Sequence, residues 1–250
     1  MDEETLNKEL ELKSFYKFFN LDPIRFQFLE KLTGEELHSL KNSIVENEQE
    51  GQKEIWSTMA RVSKYMPNFL NAKVTEDILG ASIAANLSYH LPPQDAIGIA
   101  NYFSTKFFCD VLEHLVPEKI EAMISVSPVE LMKRAVAELI LRKNFFLIGS
   151  LIDYTPIDSV DKVARNIPNP EDLISITVNT KDKTRVLKLF EKFEDIKIFN
   201  ILKSGINGST REELKEIYVY ASPELKEKSK RILKERDMDT LTLYQEFIEQ

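Results

Sequence analysis

Between residues 91 and 170, proline falls again and again at the start of an apolar block, and no other feature limits the fold so tightly. Leu91-Pro92-Pro93-Gln94-Asp95 and Val116-Pro117-Glu118-Lys119 come first. Ser127-Pro128-Val129-Glu130, Thr155-Pro156-Ile157-Asp158 and Asn169-Pro170-Glu171-Asp172 follow. Proline cannot donate a backbone hydrogen bond inside a helix or a central strand, but its fixed φ suits a first helical turn. In the last three phrases a Ser, Thr or Asn precedes the proline, and an acid stands three residues after that polar residue. This is the order of a capping side chain, a rigid start and a carboxylate that complements the helix dipole. The blocks between the phrases are rich in Leu, Ile, Ala, Val and Phe, so the stretch predicts a series of packed helices.

The flanking segments read the same way. Leu6, Leu10, Phe15, Phe18 and Phe19 give a helical stripe over 3–19. Asp22-Pro23 predicts a restart, and Thr33-Gly34-Glu35-Glu36 has capping-box spacing. The helix it opens crosses the polar run 46–54 and regains apolar character at Ile55, Trp56, Met59 and Val62, ending before Pro67. Residues 74–89 read as another amphipathic helix. Gln94 to Phe103 and Thr105 to Leu115 make a pair, and Glu118 to Val126 is short. Pro128 to about Ile148 reads as one long, mostly apolar and central helix. Helices over 157–167, 170–177, 181–193, 195–204, 210–220, 223–236 and 240–248 complete the chain; Ile174 to Val178 alternates as a strand would, with no other strand to pair with.

The expected fold is all-α: an irregular array of short antiparallel helices forming a superhelical, solenoid-like domain. The proline starts at 92, 117, 128, 156 and 170 keep no period, which excludes tetratricopeptide and ankyrin repeats. Three segments are expected: a helical segment over 1–72, the proline-punctuated array over 73–204, and C-terminal helices over 205–250 packed on the same body.

Composition narrows the function. Only 7 glycines are present and no Gly-rich phosphate fingerprint, which argues against a nucleotide-binding α/β fold. The net charge of −8 argues against a nucleic-acid binder. One cysteine, Cys109, cannot form an internal disulfide, an acidic N-terminus is no signal peptide, and no stretch approaches a membrane span. A cytoplasmic address is expected.

Candidate chemistry is thin. Of the three histidines, His38, His90 and His114, the last shares a helix face with Asp110, but Cys109 points elsewhere, which is poor metal geometry. Cys109 sits between Phe107-Phe108 and Val111-Leu112, as a buried thiol would. Gly205-Ile206-Asn207-Gly208-Ser209-Thr210 lacks the lysine and the feeding strand of a phosphate loop; a C-cap glycine, a turn and an N-cap explain it. Lys226, Lys228, Lys230, Arg231, Lys234 and Arg236 are interleaved with Glu224, Glu227, Glu235 and Asp237, as on a solvated helix. The aromatics Phe15, Tyr16, Phe18, Phe19, Phe26 and Phe28, flanked by Lys13, Lys17, Arg25 and Lys31, have the chemistry of a membrane anchor but more often form a core or an interface. No catalytic, cofactor-binding or metal-binding residue is identified.

Leu91-Pro92-Pro93-Gln94-Asp95-Ala96, Leu112-Glu113-His114-Leu115-Val116-Pro117-Glu118 and Ser127-Pro128-Val129-Glu130-Leu131 carry a resemblance. Through them residues 74–204 resemble the cytosolic N-terminal helical domain of MgtE-type magnesium transporters and the similar repeats in the middle region of the flagellar switch protein. The resemblance implies a right-handed helical superhelix and a protein-binding role. Residues 73–180 lack the dense acids of the transporter domain, so no acid is carried over as a metal ligand, and the Glu-His-Pro-Gln phrase of the flagellar protein is missing. The expected function is a non-enzymatic interaction or scaffold protein that binds a protein partner or itself. A regulatory module responding to a divalent cation, and an enzyme with its site around His90, His114 and Cys109, are the alternatives.

Overall fold

A computed structural model describes residues 3–248, with side chains described for 7–246. Among these residues there are seventeen α-helices and no strand, which agrees with the all-α expectation. No described helix is long and apolar enough to cross a membrane. The chain divides into two compact units, residues 1–127 and 128–250. The breaks expected at 72/73 and 204/205 fall inside these units, because helices pack across both.

Unit 1 holds α1 (Glu3–Phe18), α2 (Gly34–Gly51), α3 (Lys53–Ser63), α4 (Asn68–Val74), α5 (Ala81–Ser88), α6 (Pro93–Ala100), α7 (Thr105–Glu113) and α8 (Glu121–Val126). Thr33 opens α2 with the expected capping box: its hydroxyl accepts from the Glu36 N–H, and the Glu36 carboxylate accepts from the Thr33 N–H at 2.8 Å. The restart at Asp22 is a turn, in which the Asp22 carboxylate accepts from the Ile24 N–H, followed by a 3₁₀ turn at Gln27–Lys31. Part of the aromatic cluster closes this end as core: Phe15, Leu29 and Leu37 are buried, with Tyr16, Phe19 and Phe26 packed against them, while Phe28 is exposed. Where one helix was expected over 74–89, a π turn at Thr75–Leu79 and Gly80, at φ 85°, separate α4 from α5. Glycine is favoured there, because a side chain is strained at positive φ. Beyond the α1–α2 hairpin, alternate helices stack: α3 on α5 on α7, and α4 on α6 on α8.

Unit 2 holds α9 (Val129–Leu141), α10 (Phe145–Ile152), α11 (Ile157–Ala164), α12 (Pro170–Val178), α13 (Lys183–Phe190), α14 (Asp195–Asn207), α15 (Arg211–Tyr218), α16 (Pro223–Arg236) and α17 (Met238–Ile248). The long central helix expected from 128 to 148 is two helices. Lys143 takes φ 53°, and the Asn144 carboxamide caps α10 by accepting from the Leu147 N–H. Even-numbered helices stack in a row, α10 on α12 on α14 on α16, and residues 174–178, which alternate like a strand, lie in α12.

The proline starts work differently from the expectation at two of the three capped phrases. Asn169 does cap, accepting from the Glu171 N–H with Pro170 in the first turn. Ser127 and Thr155 turn backwards instead: their hydroxyls donate to the carbonyls of Met123 and Leu151, closing the preceding helix. The proline that follows is itself the N-cap residue in each case. Its extended ψ leaves the Ser or Thr one position too early to reach the new helix.

A second device recurs along unit 2. Arg185 of α13 donates to the carbonyls of Ile152, Asp153 and Thr155, at the end of α10. Lys197 of α14 donates to those of Ala164, Arg165 and Ile167, at the end of α11. Lys228 of α16 reaches those of Glu191 and Phe193, at the end of α13. Each time, a cation from the third helix onward satisfies orphan C-terminal carbonyls and the negative end of the dipole.

Asp237, between α16 and α17, accepts from Lys203 Nζ at 2.8 Å and from the Thr240 N–H at 3.0 Å. The Lys203 hydrogen bond, then the Thr240 N–H, lower its pKa from 3.8 to about 2. A depressed carboxylate contributes stability that is complete above its unfolded value and is lost as pH falls through the folded one. Unfolding midpoints measured from pH 5 to pH 2 should therefore fall less steeply in Asp237→Asn than in the parent chain.

Candidate functional site

The residues singled out in the sequence do not assemble a reaction centre. Cys109 is 0% exposed on α7, and His114 is the C-terminal cap residue of the same helix. His90 Nε2 lies 3.1 Å from Gln49 Oε1, and burial, then the nearby Lys53 charge, push its pKa down. The 205–210 segment is not a phosphate cradle. Helix α14 runs through Asn207, and Gly205 is a packing glycine whose Cβ would lie 2.7 Å from Leu214 Cδ2 and 2.8 Å from Ile174 Cδ1. The Glu171 carboxylate accepts from Ser204 and Ser209, so an anion approaching this turn would meet a negative charge. In the basic run of α16, Lys228 and Arg231 pair with Asp195, Lys230 with Glu227, and Arg236 lies over the Phe199 ring.

The convergence the structure does contain lies in unit 1. It joins α1, α2 and the 3₁₀ turn at Pro117–Ile120. Glu11 is 3% exposed and Lys41 is equally buried. Lys41 Nζ lies 3.4 Å from Glu11 Oε2, 3.3 Å from Glu118 Oε1 and 3.2 Å from Ser14 Oγ. His38 Nδ1 approaches Glu11 Oε1 at 3.3 Å and Glu118 Oε1 at 3.5 Å. One turn further along α2, Lys119 pairs with Glu46 at 3.4 Å. Among the described residues, Glu11, His38 and Glu118 are the one group of three His, Cys, Asp or Glu side chains close enough to share an ion.

Sequence reasoning missed this cluster, and one signal could have found it. Gly34, Leu37, Lys41 and Val45 occupy one buried face of α2, so a lysine stands within an apolar stripe. A buried ammonium needs a carboxylate partner.

A divalent cation of the kind the resemblance suggests would need other donors. Magnesium asks for near-octahedral oxygen ligands and keeps several waters, whereas this group offers one imidazole and two carboxylates. An ammonium already bridges both carboxylates. His38 Nε2 lies 2.9 Å from Asn42 Nδ2, and its Nδ1 faces Glu11 and Glu118, where an ion would have to bind. The residues do not fit magnesium.

The remaining feature is a surface. Trp56, Ala60 and Ser63 form the buried stripe of α3, which packs on α5. Ile55, Met59, Val62 and Met66 recur at i, i+4, i+7 and i+11, turned by about 100° from that stripe, and nothing in unit 1 covers them fully. Ile55 is 59% exposed, Tyr65 90%, Phe69 60% and Ile78 74%, with Val62 and Leu70 exposed beside them. Six large apolar side chains thus stand open within residues 55–78, in unit 1 alone.

No protein-family model matches the chain, and neither a curated protein nor a solved structure matches it.

Proposed function

We propose that this chain is a non-enzymatic, all-α interaction protein that binds a protein partner, or a second copy of itself, through the outer face of α3 and α4. The observation that carries this reading is the exposure of Ile55, Val62, Tyr65, Phe69 and Leu70 within sixteen residues of α3, α4 and their connection. Exposed apolar groups scattered singly are normal, whereas this many within one short segment point to an interaction site. Tyr65 and Phe69 have the large, rigid side chains that anchor interfaces. The resemblance to the transporter and flagellar helical domains supports the same role through a superhelical array, and the address proposed with it is the cytoplasm.

Sedimentation of the full chain across a concentration series, paired with capture of partners by the immobilised chain, tests the reading. Tyr65→Glu with Phe69→Glu should abolish self-association or capture while leaving the helical circular dichroism unchanged. A strictly monomeric parent chain with no specific partner, or a double variant that binds as the parent does, would overturn it.

A response to a divalent cation is the second reading, favoured by the approach of Glu11, His38 and Glu118. It ranks lower because Lys41 already supplies the cation. Zinc, which accepts imidazole and carboxylate ligands together, should raise the melting temperature more than control salts if it holds.

A further inference from the structure

The helices of unit 1 leave a gap between them. In unit 2 the interior is tight: Leu139, Ile174, Leu202, Leu214, Ile217, Leu225 and Leu233 are all 0% exposed. In unit 1 the facing residues of α5 to α8 stop short of one another, and Leu87, Ala96, Ile97, Ile99, Ala100 and Phe103 all keep 6–9% exposure. A cavity of about 80 Å³ lies between them. Small side chains leave the space, with Ala84 on α5 and Ala96 and Ala100 on α6 where a larger residue would close it.

The chemistry of the wall decides what can enter. A gap of this size has room for water, but water stays only where two to four polar groups hold it. Of the five polar side chains here, Ser63, Asn71, Thr75, Ser88 and Ser127, all but Thr75 donate to backbone carbonyls, and one hydroxyl does not hold a water. Ser63, Ser88 and Ser127 donate to the carbonyls of Ala60, Ala85 and Met123. Asn71 donates to those of Ser63 and Met66. What faces the gap is chiefly aliphatic: Ile97, Leu112 and Ile124 from three helices, with Met123 beside them. Apolar cavities of roughly 150 Å³ stay dry and take up benzene or xenon; this one is about half that size.

We propose that the cavity between α5, α6, α7 and α8 is a binding site for a compact apolar ligand, the methyl end of an aliphatic chain. No charged side chain lines it, so the polar end of such a molecule would stay outside. Ser63 and Asn71 bring the buried faces of α3 and α4 to its wall.

Two probes on the full chain test this: dissolved xenon for the cavity itself, and octanoate for the chain end. Xenon should cause saturable shifts of the Ile97, Leu112 and Ile124 methyl resonances, and octanoate should raise the melting temperature. Both effects should be lost in Ala100→Leu, which fills the gap, and in Ala84→Val, which narrows it from the opposite helix. Gly51→Ala, placed where an added Cβ meets nothing within 4 Å, should keep both. Absent xenon shifts, or shifts that persist in the folded filling variants, would overturn the site. Xenon binding without any octanoate effect would overturn the aliphatic chain as its ligand.

Discussion

Lys41→Ala should destabilise unit 1 by about 3–5 kcal/mol, the range for removing one partner of a buried ion pair. The cost comes from what remains. Glu11, almost fully buried on α1, would lose the ammonium 3.4 Å away, and Glu118 would lose the same partner at 3.3 Å. Three segments far apart in sequence would lose the contact that ties them together. Glu118→Gln should cost less, because Glu118 is more open to water and the lysine would keep Glu11. Lys41→Met combined with Glu11→Leu should recover most of the loss, since replacing both members of such a pair by apolar groups is often near neutral. The chain has a single tryptophan, Trp56, buried on α3 of this unit, so its fluorescence in urea follows the relevant transition. A Lys41→Ala midpoint equal to that of the parent chain would contradict the assignment of this cluster as the clamp on the α1–α2 hairpin.

The second large effect is expected at Gly149 in unit 2. Helix α10 packs on α12 closely enough that a Cβ at this position would lie 2.5 Å from the Asn179 carbonyl oxygen and 2.6 Å from its carbon. Flexible side chains yield to such a contact, but a backbone carbonyl at a helix end does not. Gly149→Ala should therefore cost at least the roughly 1–3 kcal/mol of ordinary overpacking, despite alanine's better helix propensity. Gly51→Ala is the control, with open space around it and an expected gain of about 0.4–1 kcal/mol from a less flexible unfolded chain. Denaturation followed by circular dichroism should separate the two variants in opposite directions.

How much of this was legible in the sequence depends on how local the determinants are. The start of α2 at Thr33, and α12, which begins at Pro170, follow from caps and periodicity within a few residues. The split between α9 and α10 turns on Lys143 at positive φ, a conformation that a lysine codon does not announce. The backward-facing hydroxyls of Ser127 and Thr155 depend on whether the proline itself becomes the cap residue. The clamps by Arg185, Lys197 and Lys228 join positions about thirty or more residues apart, so each reads in sequence as an ordinary surface cation. Long separation likewise hid Glu11 and Glu118 from His38 and Lys41, which stand three residues apart on α2. Helix α3 shows the limit most plainly. Its apolar residues fall on two adjacent arcs, which announces two neighbours; one arc packs on α5, and Ile55 and Val62 of the other stay exposed within unit 1.

A photo-reactive residue placed at position 65 tests that missing neighbour most directly. On irradiation in source-cell extract it should give one discrete adduct, with a partner protein or with a second copy of the chain. Phe69→Glu should suppress that adduct, and the same reactive residue at the exposed Glu212 of unit 2 should give none. Equal adducts from both positions, or no adduct from position 65, would contradict binding through the α3–α4 face.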